Sequence, residues 1–154
     1  MGGPTDLRFH SEAPLRLFAV TEANALVPRL EEVFLRLDPK LARLRELREL
    51  IEDTETYYRD DLALASPEDR SGHTSLVHDR EDLERSVQAD IDDMQSFGCE
   101  LKDVHRGLVD FPARLGDEVA YLCWQRGESR VAWWHTLDAG FAGRKALAAT
   151  EAER

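Results

Sequence analysis

A long run of apolar residues at helical spacing dominates the first half of the chain. Between Thr21 and Ala65, large side chains recur every seven residues, at Leu30, Leu37, Leu44, Ile51 and Tyr58. Further apolar residues fill the three- and four-residue gaps, at Leu26, Val33, Phe34, Leu41, Leu47 and Leu62. This spacing keeps one side of an α-helix apolar. The pattern therefore predicts a helix over Thr21–Ala65 whose apolar seam packs against a partner.

Two prolines lie within this pattern. Thr21 is a suitable N-cap for the helix, but Asp38 and Pro39 also form a good cap and first helical residue. The seven-residue repeat crosses Pro39 without a change of phase. We therefore expect one long kinked helix, and two consecutive helices are the alternative.

A second apolar series supplies the partner helix. It follows a turn-rich segment, Ser66–Gly72, and comprises Leu76, Leu83, Val87, Ile91, Met94 and Phe97. The series predicts a helix over Ser75–Phe97 that ends at Gly98, a residue that often closes helices. At ~1.5 Å per residue, the two helices would be about 65 and 35 Å long. Because the shorter helix cannot cover the whole seam, we expect a homodimer through the seam, with a sharp break at Pro39 in a three-helix monomer as the alternative.

After Gly98 the apolar residues no longer recur at helical spacing and instead occupy every second position. Three runs alternate in this way, over residues 107–112, 118–124 and 130–136, and Cys99–Asp103 is a possible short strand before them. Turn residues at Gly116-Asp117 and Gly127-Glu128 separate the runs, so we expect an antiparallel β-meander over Cys99–Leu137.

The complete pattern predicts an α+β fold, with a long kinked antiparallel helical hairpin, similar to a coiled coil, followed by a small antiparallel β-meander. The length of 154 residues suits a single domain. Its expected parts are a flexible tail at 1–14, the hairpin at 15–98, the meander with a glycine-bearing loop at 99–147, and a tail at 148–154.

Composition and charge restrict the possible partners. The net charge of −11 repels phosphate backbones, which disfavours nucleic acid and leaves a basic protein or a cation as possible partners. We find no apolar segment of the length of a signal peptide or a membrane span. The two cysteines form no C-x-x-C motif and are expected to be reduced, as in a cytoplasmic protein.

Several short motifs together resemble a bacterial family known as domain of unknown function 2203. The motifs are Phe18-x-x-Thr21-Glu-Ala-Asn-Ala-Leu-x-Pro28, Glu100–Asp103, Arg106–Pro112, Tyr121–Trp124, Gly127-Glu128, Trp134-His135 and Gly140–Arg144. The resemblance covers most of the chain. It implies a bacterial, intracellular protein without an assigned activity, and it brings no catalytic residues to this sequence.

Chemically reactive side chains concentrate in the predicted meander. Asp110, Cys123, Glu128 and His135 are potential bases, nucleophiles or ligands, and Asp110, Cys123 and His135 are the candidate metal ligands. If Gln125 paired with Arg130, Leu122 would share a face with Asp110 and His135, and Cys123 would point away; a shift by one residue changes the grouping. The structural alternative is a Cys123 that packs as a small apolar residue, a His135 that donates to a carbonyl and an Asp110 that caps a turn.

Two further features complete the candidate ligand-binding set of Asp110, Trp124, Glu128, His135 and Arg144. The loop around Arg144 could hold an anion, or could be a turn that returns the tail over the sheet. Trp124, with Trp133 and Trp134, could line an aromatic pocket or belong to the core.

The dominant helical seam and the lack of a complete catalytic motif favour a non-enzymatic cytosolic interaction or scaffold protein. The alternative is a small-molecule-, anion- or metal-binding protein or enzyme whose site lies in the meander. The sequence predicts no particular cofactor and no catalytic residue.

Overall fold

The computed structural model describes residues 16–59 and 61–148 and confirms the α+β fold. Two long helices, α1 (Val20–Tyr57) and α2 (Pro67–Gln95), precede a five-stranded antiparallel sheet. The strands are β1 (Glu100–Asp103), β2 (Leu108–Leu115), β3 (Glu118–Gln125), β4 (Trp133–His135) and β5 (Lys145–Ala146). Their spatial order follows the chain, as expected for a meander. The predicted tail at 1–14, and all but the first residue of the tail at 148–154, lie outside the described residues.

Helix α1 is a single helix of 38 residues that passes through both prolines, so the alternative of two consecutive helices is wrong. It begins at Val20, and Thr21 is therefore not its N-cap. Instead Glu22 Oε1 accepts a hydrogen bond from the Ala19 N–H at 3.0 Å, which satisfies a backbone donor at the helix start.

The end of α1 lies at Tyr57 rather than at the predicted Ala65. Arg59 adopts a positive φ of 52°, which is incompatible with a continuing right-handed helix. The Asp61 carboxylate then accepts from the Ala63 N–H at 3.2 Å and starts a short 3₁₀ turn, Leu62–Leu64. The predicted last turns of the helix are therefore the connection to α2.

Helix α2 begins at Pro67, well before the predicted Ser75, so the interpretation of Ser66–Gly72 as a loop is wrong. Ser66 Oγ accepts from the Asp69 N–H at 3.1 Å and caps the helix. Pro67 occupies the first helical position, where the missing N–H has no helical acceptor to lose. Glu68 and Asp69 add acidic side chains to the first turn, where they interact favourably with the exposed amides.

The chain forms two compact units. The hairpin unit contains the described residues from 35 to 90, and the sheet unit contains residues 16–34 and 91–148. In the hairpin unit, apolar side chains of both helices form the core: Leu37, Leu44, Leu47 and Ile51 from α1, and Val87 from α2. Residues of the predicted seam are thus buried within a single chain. The exposed seam that led us to expect a homodimer is not observed, and the homodimer stays a prediction.

In the sheet unit, one face of the sheet packs on the helical segments. The rings of Phe18 and Phe111 meet edge to face with centroids 5.2 Å apart, and Phe34 lies 6.2 Å from Trp124. The Phe18 N–H donates to the Pro112 carbonyl at 2.7 Å. These contacts make this face the core of the unit.

The observed register between β3 and β4 differs from the pairing of Gln125 with Arg130 that was considered from the sequence. Cys123 pairs with Trp133, so the pairing based on Gln125 and Arg130 is wrong by one position. Glu128 Oε1 accepts from the Gln125 N–H at 2.6 Å at the start of this connection, whereas the Val131 N–H donates to Asn24 on α1 at 2.7 Å instead of to a strand. The strand therefore begins only at Trp133.

The glycine-bearing loop returns the chain to the sheet. A short 3₁₀ turn, Phe141–Gly143, leads into β5, which pairs antiparallel with β4. The interpretation of this loop as a returning turn is confirmed. Within the described part of the chain, neither helix contains a stretch that is long and apolar enough to cross a membrane.

Candidate functional site

Three chemically distinct side chains converge on the sheet face that is opposite the core face. Asp110 on β2 lies directly across from Cys123 on β3, and His135 on β4 lies across from Tyr121. Because Tyr121 and Cys123 are two residues apart, their side chains share a face. The exposed fractions of Asp110, Cys123 and His135 are 4%, 1% and 2%, and their oxygen, sulfur and nitrogen atoms lie within 4.8 Å of one another. We call these three residues the sheet cluster.

The hydrogen bonds of His135 fix its tautomer. Nδ1 lies 2.7 Å from the Thr136 carbonyl oxygen, and Nε2 lies 3.0 Å from Asp110 Oδ2. A carbonyl oxygen can only accept, so Nδ1 carries a hydrogen and donates it. Nε2 and Oδ2 then hold one proton between them, as imidazolium and carboxylate or as imidazole and carboxylic acid. Either arrangement leaves the buried pair without net charge.

Burial raises the pKa of the Asp110 carboxyl above its usual value. The neighbouring His135 and its hydrogen bond act in the opposite direction but do not outweigh the burial. Asp110 therefore forms part of a proton-sharing pair. The structural alternative, in which Asp110 caps a turn, is not observed. The other half of that alternative, a His135 that donates to a backbone carbonyl, is observed.

Cys123 is a poor nucleophile in this environment. Burial, followed by the charge of Asp110, raises the pKa of its thiol to about 12, although a hydrogen bond with Arg144 lowers it. The thiol is therefore protonated at neutral pH. Both nitrogens of His135 are engaged by other groups, and the polar partners of the thiol are Asp110 and Arg144 rather than the imidazole. The geometry is not that of a cysteine–histidine–aspartate triad.

Arg144 and Glu128 belong to the surroundings of the cluster. The two terminal nitrogens of Arg144 each lie 3.0 Å from a different Glu128 oxygen, which makes a bidentate ion pair. The guanidinium also stacks 4.7 Å from the Trp133 ring and 4.4 Å from the Phe141 ring. Arg144 is thus held by a carboxylate and two rings, and its role as an anion ligand stays a prediction.

Trp124 is not part of this site. Its side chain is fully buried on the core face, beside Phe34, and its Nε1 donates to the Glu128 carbonyl at 3.0 Å. Trp133 and Trp134 point to opposite faces, because they are consecutive in β4. The structural interpretation of Trp124 as a core residue is therefore correct, and a pocket lined by all three tryptophans is not formed.

Sequence reasoning missed Tyr121 and Glu100, which lie on the same face as the cluster. The Tyr121 ring is 5.4 Å from the His135 ring, and Glu100 on β1 lies opposite Asp110. Burial and a hydrogen bond to Glu100 raise the pKa of Tyr121. The signal for Tyr121 was its position two residues before Cys123 within one strand.

A second candidate site lies in the hairpin unit, where the connection from α1 to α2 leaves an open cleft of about 560 Å³. We call it the turn cleft; its lining includes Asp53, Tyr57, Tyr58, Glu68, Asp69 and His73. The Tyr57 and Tyr58 rings meet edge to face at 4.8 Å, and the Tyr58 hydroxyl donates to the Asp69 carboxylate. His73 Nε2 is 3.0 Å from Glu55 Oε1. The cleft thus combines aromatic rings with carboxylates.

The fold and these sites define an α+β protein with a helical hairpin and a meander that carries a buried polar cluster. A family model described as "Uncharacterized conserved protein (DUF2203)" matches residues 16–147, and the chain belongs to this family. No curated protein and no solved structure matches the chain. The family has no known function, so membership indicates no specific activity.

Proposed function

We propose that the protein is a non-enzymatic interaction protein whose hairpin unit binds a basic segment of a partner protein in the turn cleft. The observation that supports this role is the combination of an exposed tyrosine, a half-buried tyrosine and carboxylates in one open cleft. A lysine or arginine side chain has the chemistry that such a surface recognises.

Tyr57 is the expected anchor of the interaction. Its side chain is 79% exposed, although a tyrosine ring carries a large apolar surface. A cation placed over this ring gains about 0.5 to 1 kcal/mol at an exposed site. Exposed tyrosines of this kind are common anchors in protein interfaces.

The carboxylates of the cleft supply charge complementarity. Asp53, Glu68 and Asp69 line it, and all three are exposed. The net charge of −11 also attracts a basic partner over longer distances and increases its association rate. The same charges disfavour a second copy of the acidic hairpin as the occupant of this cleft.

We further infer a cytoplasmic protein of bacterial origin. Both cysteines, Cys99 and Cys123, are free thiols, which is typical of a reducing compartment.

We also infer that the hairpin helices pack as a coiled coil, because the seven-residue repeat of α1 matches that packing. We propose that a homodimer uses other surfaces of α1, where Leu35 and Leu50 are exposed.

The experiment is a fluorescence-anisotropy titration with a labelled peptide rich in lysine and arginine, and with a glutamate-rich peptide of equal length. We expect binding of the basic peptide alone, weakened about twofold to fivefold by Tyr57→Ala. Tyr57→Phe, which retains the ring, and Glu49→Gln, which removes an exposed charge outside the cleft, are matched controls and should bind like the wild type. Equal binding by Tyr57→Ala and wild type, or no binding at all, would refute the proposal.

A further inference from the structure

We propose that the sheet cluster binds one transition-metal ion, with zinc as the best fit, through Asp110 Oδ2, Cys123 Sγ and His135 Nε2. The three atoms come from adjacent strands and lie within 4.8 Å of one another. Because the atoms already lie this close together, only small side-chain movements are needed to bring them to ligand distances of about 2.0 to 2.3 Å. Their positions on strands also hold them more precisely than loops would.

The orientation of His135 supports this assignment. Metal-binding histidines usually donate the second ring N–H to a carboxylate or a backbone carbonyl, which fixes the tautomer. Here Nδ1 donates to the Thr136 carbonyl at 2.7 Å. The remaining nitrogen, Nε2, faces Asp110 at 3.0 Å and has its lone pair available once the shared proton is removed.

The charges balance when a divalent ion binds. Without metal, the site holds one proton between Asp110 and His135 and another on the Cys123 thiol. A divalent cation displaces both protons to solvent and leaves a carboxylate, a thiolate and a neutral imidazole around the ion. The cluster is neutral before and after this exchange. The exchange therefore adds no net charge to a buried site, where an unpaired charge would be costly.

The donor set selects among metal ions. Calcium and magnesium prefer six or more oxygen ligands, which a sulfur and a nitrogen cannot replace. Zinc accepts sulfur, nitrogen and oxygen in a tetrahedral arrangement, and three protein ligands leave a fourth position for water or another ligand.

The charged neighbours of the cluster are themselves paired. Arg144, which contacts Cys123, makes its ion pair with Glu128. Lys102 interacts with Asp110, and its Nζ is 3.8 Å from Glu100 Oε2. Each cation thus has a carboxylate partner, which reduces its repulsion of a bound metal ion.

The test is a cobalt titration of the full chain, purified without a histidine tag, followed by the absorption of the thiolate-to-Co²⁺ charge transfer. We expect one Co²⁺ per chain and displacement of Co²⁺ by Zn²⁺. The absorption should vanish in Cys123→Ser and persist in Cys99→Ser. Cys99 is the matched control, since it is also fully buried but donates to the Met94 carbonyl at 3.3 Å, outside the cluster.

A second variant, Asp110→Asn, keeps the size of the side chain but removes the carboxylate. It should weaken Co²⁺ binding at least tenfold, because replacement of residues that only support a metal site already costs about this much affinity. Far-ultraviolet circular dichroism identifies variants that do not fold. If Cys123→Ser does not fold, the metal site is tested by the Co²⁺ titration of the wild type and by the loss of Co²⁺ affinity in Asp110→Asn. A folded wild type without the charge-transfer absorption, or an absorption that persists in Cys123→Ser, would overturn the metal site.

Discussion

The hairpin unit and the sheet unit bury acidic side chains in different ways. In the hairpin unit, Asp90 is neutralised by Lys40 at 2.6 Å and Arg36 at 3.4 Å, two long cationic side chains that remain partly exposed. In the sheet unit, Asp110 is neutralised by a proton shared with the buried His135. The hairpin unit supplies two separate cationic side chains, whereas a shared proton can be exchanged for a metal ion. The first arrangement stabilises a fold, and the second provides a ligand set.

Glu84 shows that burial alone does not mark a binding site. It is as buried as Asp110, and Arg80 Nε lies 3.2 Å from its Oε1 without the alignment of a hydrogen bond. Arg48 lies 4.0 Å from the same oxygen. The partners of Glu84 are thus two arginines, which cannot bind a cation. The sheet cluster differs because its neighbours supply nitrogen and sulfur donors.

The largest expected effect is the loss of a core side chain from the hairpin unit. Leu44→Ala should lower the free energy of unfolding by about 2 to 5 kcal/mol, because it leaves a cavity between the helices. Leu35→Ala, at a position that is 65% exposed, should change it by no more than about 0.5 kcal/mol. Urea unfolding at two protein concentrations measures both. A midpoint that rises with protein concentration would instead support the homodimer.

A double-mutant cycle sharpens the difference between the two buried acids. In metal-free buffer we expect Asp110 and His135 to be coupled by about 1 to 3 kcal/mol, because removal of either leaves a buried polar partner unpaired. The coupling of Asp90 with Lys40 should be smaller, since the Lys40 side chain is 29% exposed and water screens it. Similar coupling energies for the two pairs would remove the distinction drawn between the units.

The start of α2 provides a third, smaller test. Ser66→Ala should lower the free energy of unfolding by about 1 kcal/mol, because the Asp69 N–H loses its acceptor. Ser71→Ala, which changes an exposed residue inside the same helix, should not destabilise the protein. An unaffected Ser66→Ala variant would instead favour a helix that starts near Ser75.

The smallest expected effect is a dependence of stability on pH at the start of α1. Hydrogen bonds from the Ala19 N–H and then from Arg16 lower the pKa of Glu22 below 4.5. A carboxyl whose folded pKa is lowered stabilises the fold above its unfolded pKa, and this stabilisation is lost as the pH falls through the folded value. Glu22→Gln should therefore flatten the decline in stability below about pH 4.5. Glu31→Gln, at an exposed position of the same helix, is the matched control. Thermal unfolding across this range measures the difference.

Periodic patterns predicted both helices and the strands β1 to β4, because burial of one face imposes the same spacing along a whole helix or strand. Strand β5 was not predicted. The start of α2 was missed although its signal is local. Serine, proline and glycine over Ser66–Gly72 suggested a loop, but serine before Pro67 with an acid at Asp69 is also a helix cap.

The residues of the sheet cluster could be predicted, but their close approach in the fold could not. Asp110, Cys123 and His135 were recognisable as candidate ligands from their side-chain chemistry. Whether they share a face depends on one residue of strand register, which is set partly by the tertiary hydrogen bond between Val131 and Asn24. No local pattern reveals a contact between residues so distant in the sequence.

The metal-binding role of the sheet cluster is tested most directly by X-ray absorption spectroscopy of the zinc-loaded protein. We expect one sulfur neighbour at about 2.3 Å and nitrogen or oxygen neighbours at about 2.0 to 2.2 Å. The sulfur neighbour should be absent in Cys123→Ser and present in Cys99→Ser. A zinc spectrum with only nitrogen and oxygen neighbours in the wild type would contradict the assignment.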